Sequence, residues 1–178
     1  MSKVALIGIV LCIASVFLVF EMLELRLNFT SSLPMGVYQE TRSDAWRRGH
    51  IVVACPPVNA VTRWSRDNHI LSWGLCAGGM TPIIKKIAGR PGDRVFMNRD
   101  GVWINGLLWP QSRLMPEKVP IHLIAQNVDI ISSKPRVIPQ GKFLLLSDWN
   151  SRSFDGRYFG FVDGRDIKAI ITPIWVWP

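Results

Sequence analysis

The chain has 178 residues, which is enough for one domain with a hydrophobic core and short for two. It carries 21 Lys and Arg against 13 Asp and Glu, for a formal net charge of +8. These basic residues are scattered and form no basic run or nucleic-acid motif, so we exclude a nucleic-acid partner. Attraction to anionic lipid headgroups explains the charge more simply.

The first predicted element is a membrane anchor. Residues 4–20 form a predominantly apolar run that no charge interrupts, between Lys3 and Glu21. The run is at the lower limit for crossing a bilayer, and apolar residues just beyond it extend it. Because no small-residue cleavage site follows, we favour an uncleaved anchor over residues 1–26 to a removed signal peptide. Lys3 favours a cytoplasmic N-terminus, which would place residues 27–178 in the periplasm, outside the inner membrane.

Beyond the anchor, the pattern predicts a mainly β domain. Short apolar runs bounded by turn residues predict strands over 51–54, 82–88, 142–146 and 167–177. Asn105-Gly106 lies between two apolar triplets and predicts a tight hairpin. The segment 111–139 contains several prolines without clear periodicity, and we predict an irregular excursion there.

One segment departs from the β pattern. Between Cys55 and Cys76, apolar residues recur at three- or four-residue steps and predict a short amphipathic helix. Both cysteines belong to the predicted periplasmic domain, where thiols oxidise, so we expect a disulfide between them, with two buried free thiols as the alternative. Cys12 lies in the apolar run and is expected to be inert. The three histidines are isolated, and we expect no metal site.

Two segments offer the parts of a nucleophilic site. Ser31 and Ser32 follow the apolar run, and Pro34 shapes the backbone just beyond them. Lys85 and Lys86 lie in a predicted strand. A lysine activates a serine hydroxyl only when its amine is neutral, so its pKa must fall from about 10.4 through burial. Both lysines have apolar neighbours on their own face of the strand, and alternation alone does not choose between them.

A third segment, residues 147–160, is rich in polar side chains. Ser153, Asp155 and Arg157 are each two residues apart and would share one face of an extended chain. They would then form a compact polar group. The alternative is a polar loop that an ion pair holds in place.

These three segments, in this order behind an apolar N-terminus, resemble those of the type I signal peptidases, membrane-bound proteases with a serine–lysine dyad. The resemblance implies that Ser32 is the nucleophile. It also implies Lys85 rather than Lys86 as the general base, because the family's base lies six residues before the proline of Pro-Gly-Asp. The residues that would orient the lysine and brace the site are Ser153, Asp155 and Arg157.

The sequence around the nucleophile departs from the general signal peptidase pattern. Residues 32–38 have the form Ser-x-Pro-x-Gly-x-Tyr, which is similar to the TraF-type peptidases of conjugative transfer that mature pilin subunits. Ser31 would restore the general Ser-x-x-Pro spacing and stays an alternative nucleophile. Thr30 matches the position of a hydroxyl donor to the oxyanion and would act with the Ser32 backbone N–H.

The resemblance implies a single signal-peptidase-like antiparallel β domain behind one transmembrane helix. Its function would be that of a membrane-anchored endopeptidase acting on an exported preprotein or propilin, with hydrolysis or head-to-tail cyclisation of the product. No cofactor is needed for this chemistry. The inner membrane and conjugative transfer machinery are the other expected partners. A general signal peptidase and a non-catalytic assembly component of a transfer apparatus are the alternatives.

Overall fold

The structure is a computed structural model that describes residues 2–43, 45–115, 117–128 and 132–177. Its helices are α1 (Lys3–Met22), α2 (Ala60–Asp67), α3 (Ile121–Asn127) and α4 (Gly156–Phe159). Its strands are β1 (Leu25–Asn28), β2 (Gly36–Thr41), β3 (Ile51–Ala54), β4 (Trp73–Cys76), β5 (Ile83–Gly89), β6 (Arg94–Met97), β7 (Val102–Ile104), β8 (Leu107–Leu108), β9 (Ser132–Val137), β10 (Lys142–Leu146), β11 (Val162–Asp163) and β12 (Ile167–Val176).

All of these strands except β4 form two antiparallel sheets, so the predicted mainly β fold is confirmed. One sheet has the order β1-β2-β12-β3-β5-β10-β11, and the other has the order β8-β7-β6-β9. Strand β5 is central in the larger sheet, between β3 and β10. Ile84 and Lys86, which lie on one face of β5, are only partly buried, so this face of the strand is not fully covered.

The main core contains side chains from both sheets and from α2 and α3. On β5, Ile83, Lys85 and Ile87 are all buried, as the alternation of a strand requires. Because Lys85 alternates with these two isoleucines, its side chain lies on the same buried face of the strand. The side chain of the next residue, Lys86, points to the opposite face of the sheet.

Several local predictions are confirmed. Asn105 and Gly106 both have positive φ, as a two-residue hairpin turn requires, and they join β7 to β8. Helix α2 lies between the two cysteines, and Asn59 caps it by accepting a hydrogen bond from the Thr62 backbone N–H.

The prediction of an irregular segment over 111–139 was wrong in part. Helix α3 begins directly after Pro120, where a missing backbone N–H costs the helix nothing. Its residue Ile124 and the C-cap residue Val128 are buried, and the helix packs against α2 and α4. Strand β9 contains Pro135 but lies at the edge of its sheet, where proline is tolerated.

Helix α1 covers most of the predicted anchor, and it exposes large apolar side chains that include Leu6, Leu11 and Leu18. In the part of the chain that the structure describes, no helix combines the length and apolar character needed to cross a membrane. The transmembrane helix predicted within residues 1–26 is therefore not confirmed.

Candidate active site

An open cleft with a volume of about 470 Å³ lies beside β5. It brings together residues from six separate parts of the sequence. The polar side chains that line it include Thr30, Ser31, Ser32, Lys85, Lys118 and Ser153. The predicted nucleophile and the predicted base therefore line the same cleft.

The loop after β1 carries Ser32, and hydrogen bonds tie it to the segment after β10. The Ser147 hydroxyl donates to the Ser32 carbonyl oxygen over 2.5 Å, and the Asn150 side chain donates to the Ser31 carbonyl oxygen over 3.0 Å. The Ser153 hydroxyl donates to Ser32 Oγ over 3.3 Å. Ser32 is half-buried, whereas Ser31 is exposed.

Asn28 organises the same loop from inside the protein. Its side chain is buried, and Nδ2 donates to the carbonyl oxygens of Thr30, Leu33 and Pro34. Its Oδ1 accepts from the backbone N–H of Thr30 over 3.0 Å and from the Thr30 hydroxyl over 2.7 Å. Sequence reasoning missed Asn28, although an Asn two residues before a Thr is a local signal for this type of side-chain-supported turn.

The bond from Thr30 Oγ1 to Asn28 bears on the predicted oxyanion hole. A hydroxyl has one proton to donate, and in this arrangement Thr30 donates it to Asn28. Thr30 lines the cleft, so its hydroxyl proton would have to turn away from Asn28 to be donated to an oxyanion there. Its role in the oxyanion hole stays a prediction.

Lys85 is held in the centre of the sheet opposite Val52 of β3. The residue is only 4% exposed, and its Nζ donates to the Ile84 carbonyl oxygen over 3.0 Å. Burial lowers the pKa of Lys85 from 10.5 to about 8, although the negative charge of Asp155 opposes this effect. The positive charge of Lys118 lowers the Lys85 pKa further.

Lys86 has different surroundings on the opposite face of β5. Its Nζ forms an ion pair with Asp148 at 2.5 Å. It also lies in a separate, smaller cavity with Asp148 and Trp149. The Lys86 amine is therefore engaged by a carboxylate on the face of β5 that points away from the cleft.

Asp155 and Arg157 form a fully buried ion pair close to the cleft. Arg157 Nε donates to Asp155 Oδ1 over 2.7 Å, and Nη2 donates to Oδ2 over 2.9 Å. The rest of the guanidinium donates to backbone carbonyl oxygens of Gln111, Arg113, Ser151 and Ser153. The pair therefore fixes several loops, including the one that carries Ser153.

Lys118 is a further cleft residue that sequence reasoning missed. It lies in the segment predicted to be irregular, where no pattern distinguished it. Its side chain is half-buried, and its Nζ donates to the Arg152 carbonyl oxygen. Burial lowers the pKa of Lys118, while Asp155 opposes this change.

The structure joins Cys55 and Cys76 in a disulfide with a Cα–Cα distance of 5.5 Å. It links the end of β3 to β4 and closes the segment that contains α2. Ile70, Leu71 and Ser72, from this closed segment, line the cleft. The disulfide therefore restrains one wall of the site.

Comparisons with known proteins identify the family. Residues 1–177 match the family model described as signal peptidase, peptidase S26. The chain belongs to this signal peptidase family. It is 32% identical over 154 residues to the plasmid transfer protein TraF of Escherichia coli, covering 85% of this chain and 83% of that protein. It is 33% identical over 153 residues to the conjugal transfer protein TraF of Agrobacterium tumefaciens, covering 85% and 82%.

Two further comparisons concern signal peptidases themselves. Signal peptidase IB of Staphylococcus aureus is 30% identical over 102 residues, covering 53% of each chain. The solved structure of signal peptidase I from Enterococcus faecalis V583 aligns with a TM-score of 0.38 at 20% identity, covering 71% of this chain and 97% of that one. The match of residues 1–177 to the signal peptidase family model makes this chain a signal peptidase-type serine protease. In this peptidase, the cleft holds a serine hydroxyl and a lysine amine with a lowered pKa.

Proposed function

We propose that this peptidase uses Ser32 as its nucleophile and Lys85 as its general base. The observation that carries the proposal is the single cleft that both residues line, with the Lys85 pKa lowered to about 8 by burial. At that pKa, roughly a tenth of the amine is neutral at pH 7, far more than for an exposed lysine. The ion pair of Lys86 with Asp148 argues against Lys86 as the base.

In the proposed reaction, Ser32 Oγ forms a bond to the carbonyl carbon of the scissile peptide while its proton passes to Lys85 Nζ. Lys85 then delivers that proton to the departing amine as the C–N bond breaks, which leaves an acyl-enzyme ester. The Ser32 backbone N–H and Thr30 would stabilise the oxyanion. Ser153, which donates to Ser32 Oγ, would position the nucleophile, and the Asp155–Arg157 pair would hold Ser153.

We propose an exported preprotein as the substrate, with a propilin of a conjugation system as the specific case. Similarity to two proteins named for plasmid or conjugal transfer supports this choice. A water molecule would resolve the ester by hydrolysis, whereas the amine of the same substrate chain would resolve it as a cyclic product. Mass spectrometry distinguishes the two outcomes, because the cyclic product is lighter by one water.

We also propose that α1 attaches the enzyme to the inner membrane, with residues 27–178 in the periplasm. The exposed apolar side chains of α1 support attachment, since such surfaces are unfavourable in water. Fractionation of cells and protease digestion of spheroplasts test the location. Recovery of the full-length chain in the soluble fraction would contradict it.

Two matched pairs of variants test the catalytic assignment in the full-length protein. Ser32→Ala and Lys85→Met should each abolish cleavage, while Ser31→Ala and Lys86→Met should retain it. The Ser32→Ala/Lys85→Met double variant should be no worse than either single variant, because the two groups act as a unit. A Ser32→Ala protein that still supports transfer in cells would favour the non-catalytic assembly role instead.

A further inference from the structure

The side chains that line the cleft carry charge of one sign. Arg26, Lys85, Lys118 and Arg152 all line it, and no Asp or Glu is among its described lining residues. A cleft with basic walls and few compensating charges attracts negatively charged ligands, because its low-dielectric surroundings concentrate the field.

Two of these four basic residues are accounted for. Arg26 forms an ion pair with Glu40 at 2.7 Å, and two of its N–H groups donate to the same carboxylate oxygen. Lys85 is buried, and its amine belongs to the proposed dyad. Asp155 acts on Lys118 through space, but it is fully buried and both of its oxygens accept hydrogen bonds from Arg157, so it forms no direct pair with a described cleft residue.

Lys118 and Arg152 remain as the basic groups of the open cleft. Among the described residues, neither side chain forms an ion pair with a carboxylate. The hydrogen bond from Lys118 Nζ to the Arg152 carbonyl oxygen fixes the amine beside Arg152 and leaves it two further N–H donors. Arg152 directly precedes Ser153, whose hydroxyl donates to Ser32 Oγ. Both basic residues therefore lie close to the nucleophile.

We propose that Lys118 and Arg152 form a subsite for an acidic side chain of the substrate, located in the segment that flanks the scissile bond. This inference rests on the proposed function, because it places the substrate in the same cleft. Hydrogen bonds between charged groups are stronger than those between neutral ones, and a partly desolvated amine gains more from such a bond than an exposed one. The subsite would make the enzyme select substrates with Glu or Asp near the cleavage point.

Binding to the full-length Ser32→Ala protein in detergent tests the inference without cleavage. The probes are fluorescent, C-terminally amidated peptides with Ala at the first and third positions before the scissile bond. Each pair of peptides differs only by Glu or Gln at one of the three positions on either side. We expect the Glu peptide to bind about three- to tenfold more tightly at one or more positions, as for a partly exposed charged hydrogen bond. This preference should weaken as salt is added.

The preference should fall below about twofold when Lys118→Gln and Arg152→Gln are combined in the same protein. Arg63→Gln is the matched control, because it removes one positive charge from an exposed residue of α2 that does not line the cleft. It should keep the full preference. Thermal melting checks that the variants fold, and the single Arg152→Gln variant, altered only at an exposed side chain, should show a partial loss.

Equal dissociation constants for every Glu and Gln pair, or no binding of any peptide, would overturn the inference. So would a preference that persists in the double variant. The proposed function fails in a different way. If the Ser32→Ala protein binds the Glu peptides preferentially and still cleaves them, the acidic subsite stands and the assignment of Ser32 as the nucleophile is lost.

Discussion

Introducing a carboxylate beside Lys85 should move the pH dependence of cleavage to higher pH. Ile83 is 6% exposed, lines the cleft and lies on the same face of β5 as Lys85. Cleavage requires the neutral amine, so the rate should rise with pH and reach half of its maximum near the Lys85 pKa of about 8. In Ile83→Glu, the new negative charge would stabilise the ammonium form and raise that pKa.

The size of the change follows from the geometry of the strand. Residues two apart on one face of a strand are separated by about 6.6 Å. At an effective dielectric constant of about 20, two unit charges at that distance interact by about 2.5 kcal/mol. This energy corresponds to about 1.8 pKa units, and solvent in the open cleft reduces it. We therefore expect the midpoint of the rising limb to move upward by about one to two pH units.

Ile83→Gln is the matched control, because Gln has nearly the shape of Glu without its charge. The assay measures kcat/KM of both variants and the parent from pH 6 to pH 10, with thermal melting to verify folding. The Gln variant should keep the parent's midpoint even if its rate falls. A folded Glu variant with the parent's midpoint would refute the reasoning that Ile83 faces the base and that Lys85 works through burial.

Three further predictions concern the supports of the site. Asn28→Asp should lower kcat about tenfold with little change in KM, because a carboxylate would face the loop carbonyls that Asn28 now donates to; steady-state kinetics with an unchanged kcat would contradict this. Arg157→Met should lower the free energy of unfolding by about 3–5 kcal/mol in urea titration, because it leaves a buried carboxylate unpaired; a loss below about 1 kcal/mol would show that the pair does not brace the fold. Thiol labelling of the denatured, non-reduced protein should modify Cys12 only, and labelling of Cys55 and Cys76 would show that the disulfide is absent.

The sequence was most informative where structure is determined locally. The Asn105-Gly106 turn requires positive φ at both residues, and this requirement alone predicts the hairpin. Helix α2 was predictable because its apolar residues recur with helical spacing. Helix α3 was not, because its start is marked by Pro120, which reads equally well as part of a loop.

The choice between Lys85 and Lys86 shows where residue patterns stop being sufficient. Both lysines alternate with apolar residues, and only the three-dimensional structure reveals that one faces the cleft and the other faces Asp148. Family resemblance selected Lys85 through its spacing to the following proline. Lys118 escaped prediction because its importance comes from its position in the cleft, which no spacing encodes. For Asn28 the spacing to Thr30 signals only a local turn, and its contacts with the Leu33 and Pro34 carbonyl groups appear only in the structure.

Direct detection of the acyl-enzyme tests the central claim, that Lys85 activates Ser32. The full-length enzyme is quenched with acid during turnover of a cleavable peptide and is then digested, and the fragments are sequenced by mass spectrometry. We expect the acyl group on Ser32 in the parent and its absence in Lys85→Met, with Lys86→Met behaving like the parent. An acyl group on Ser31, or its formation at the parental rate in Lys85→Met, would contradict the account.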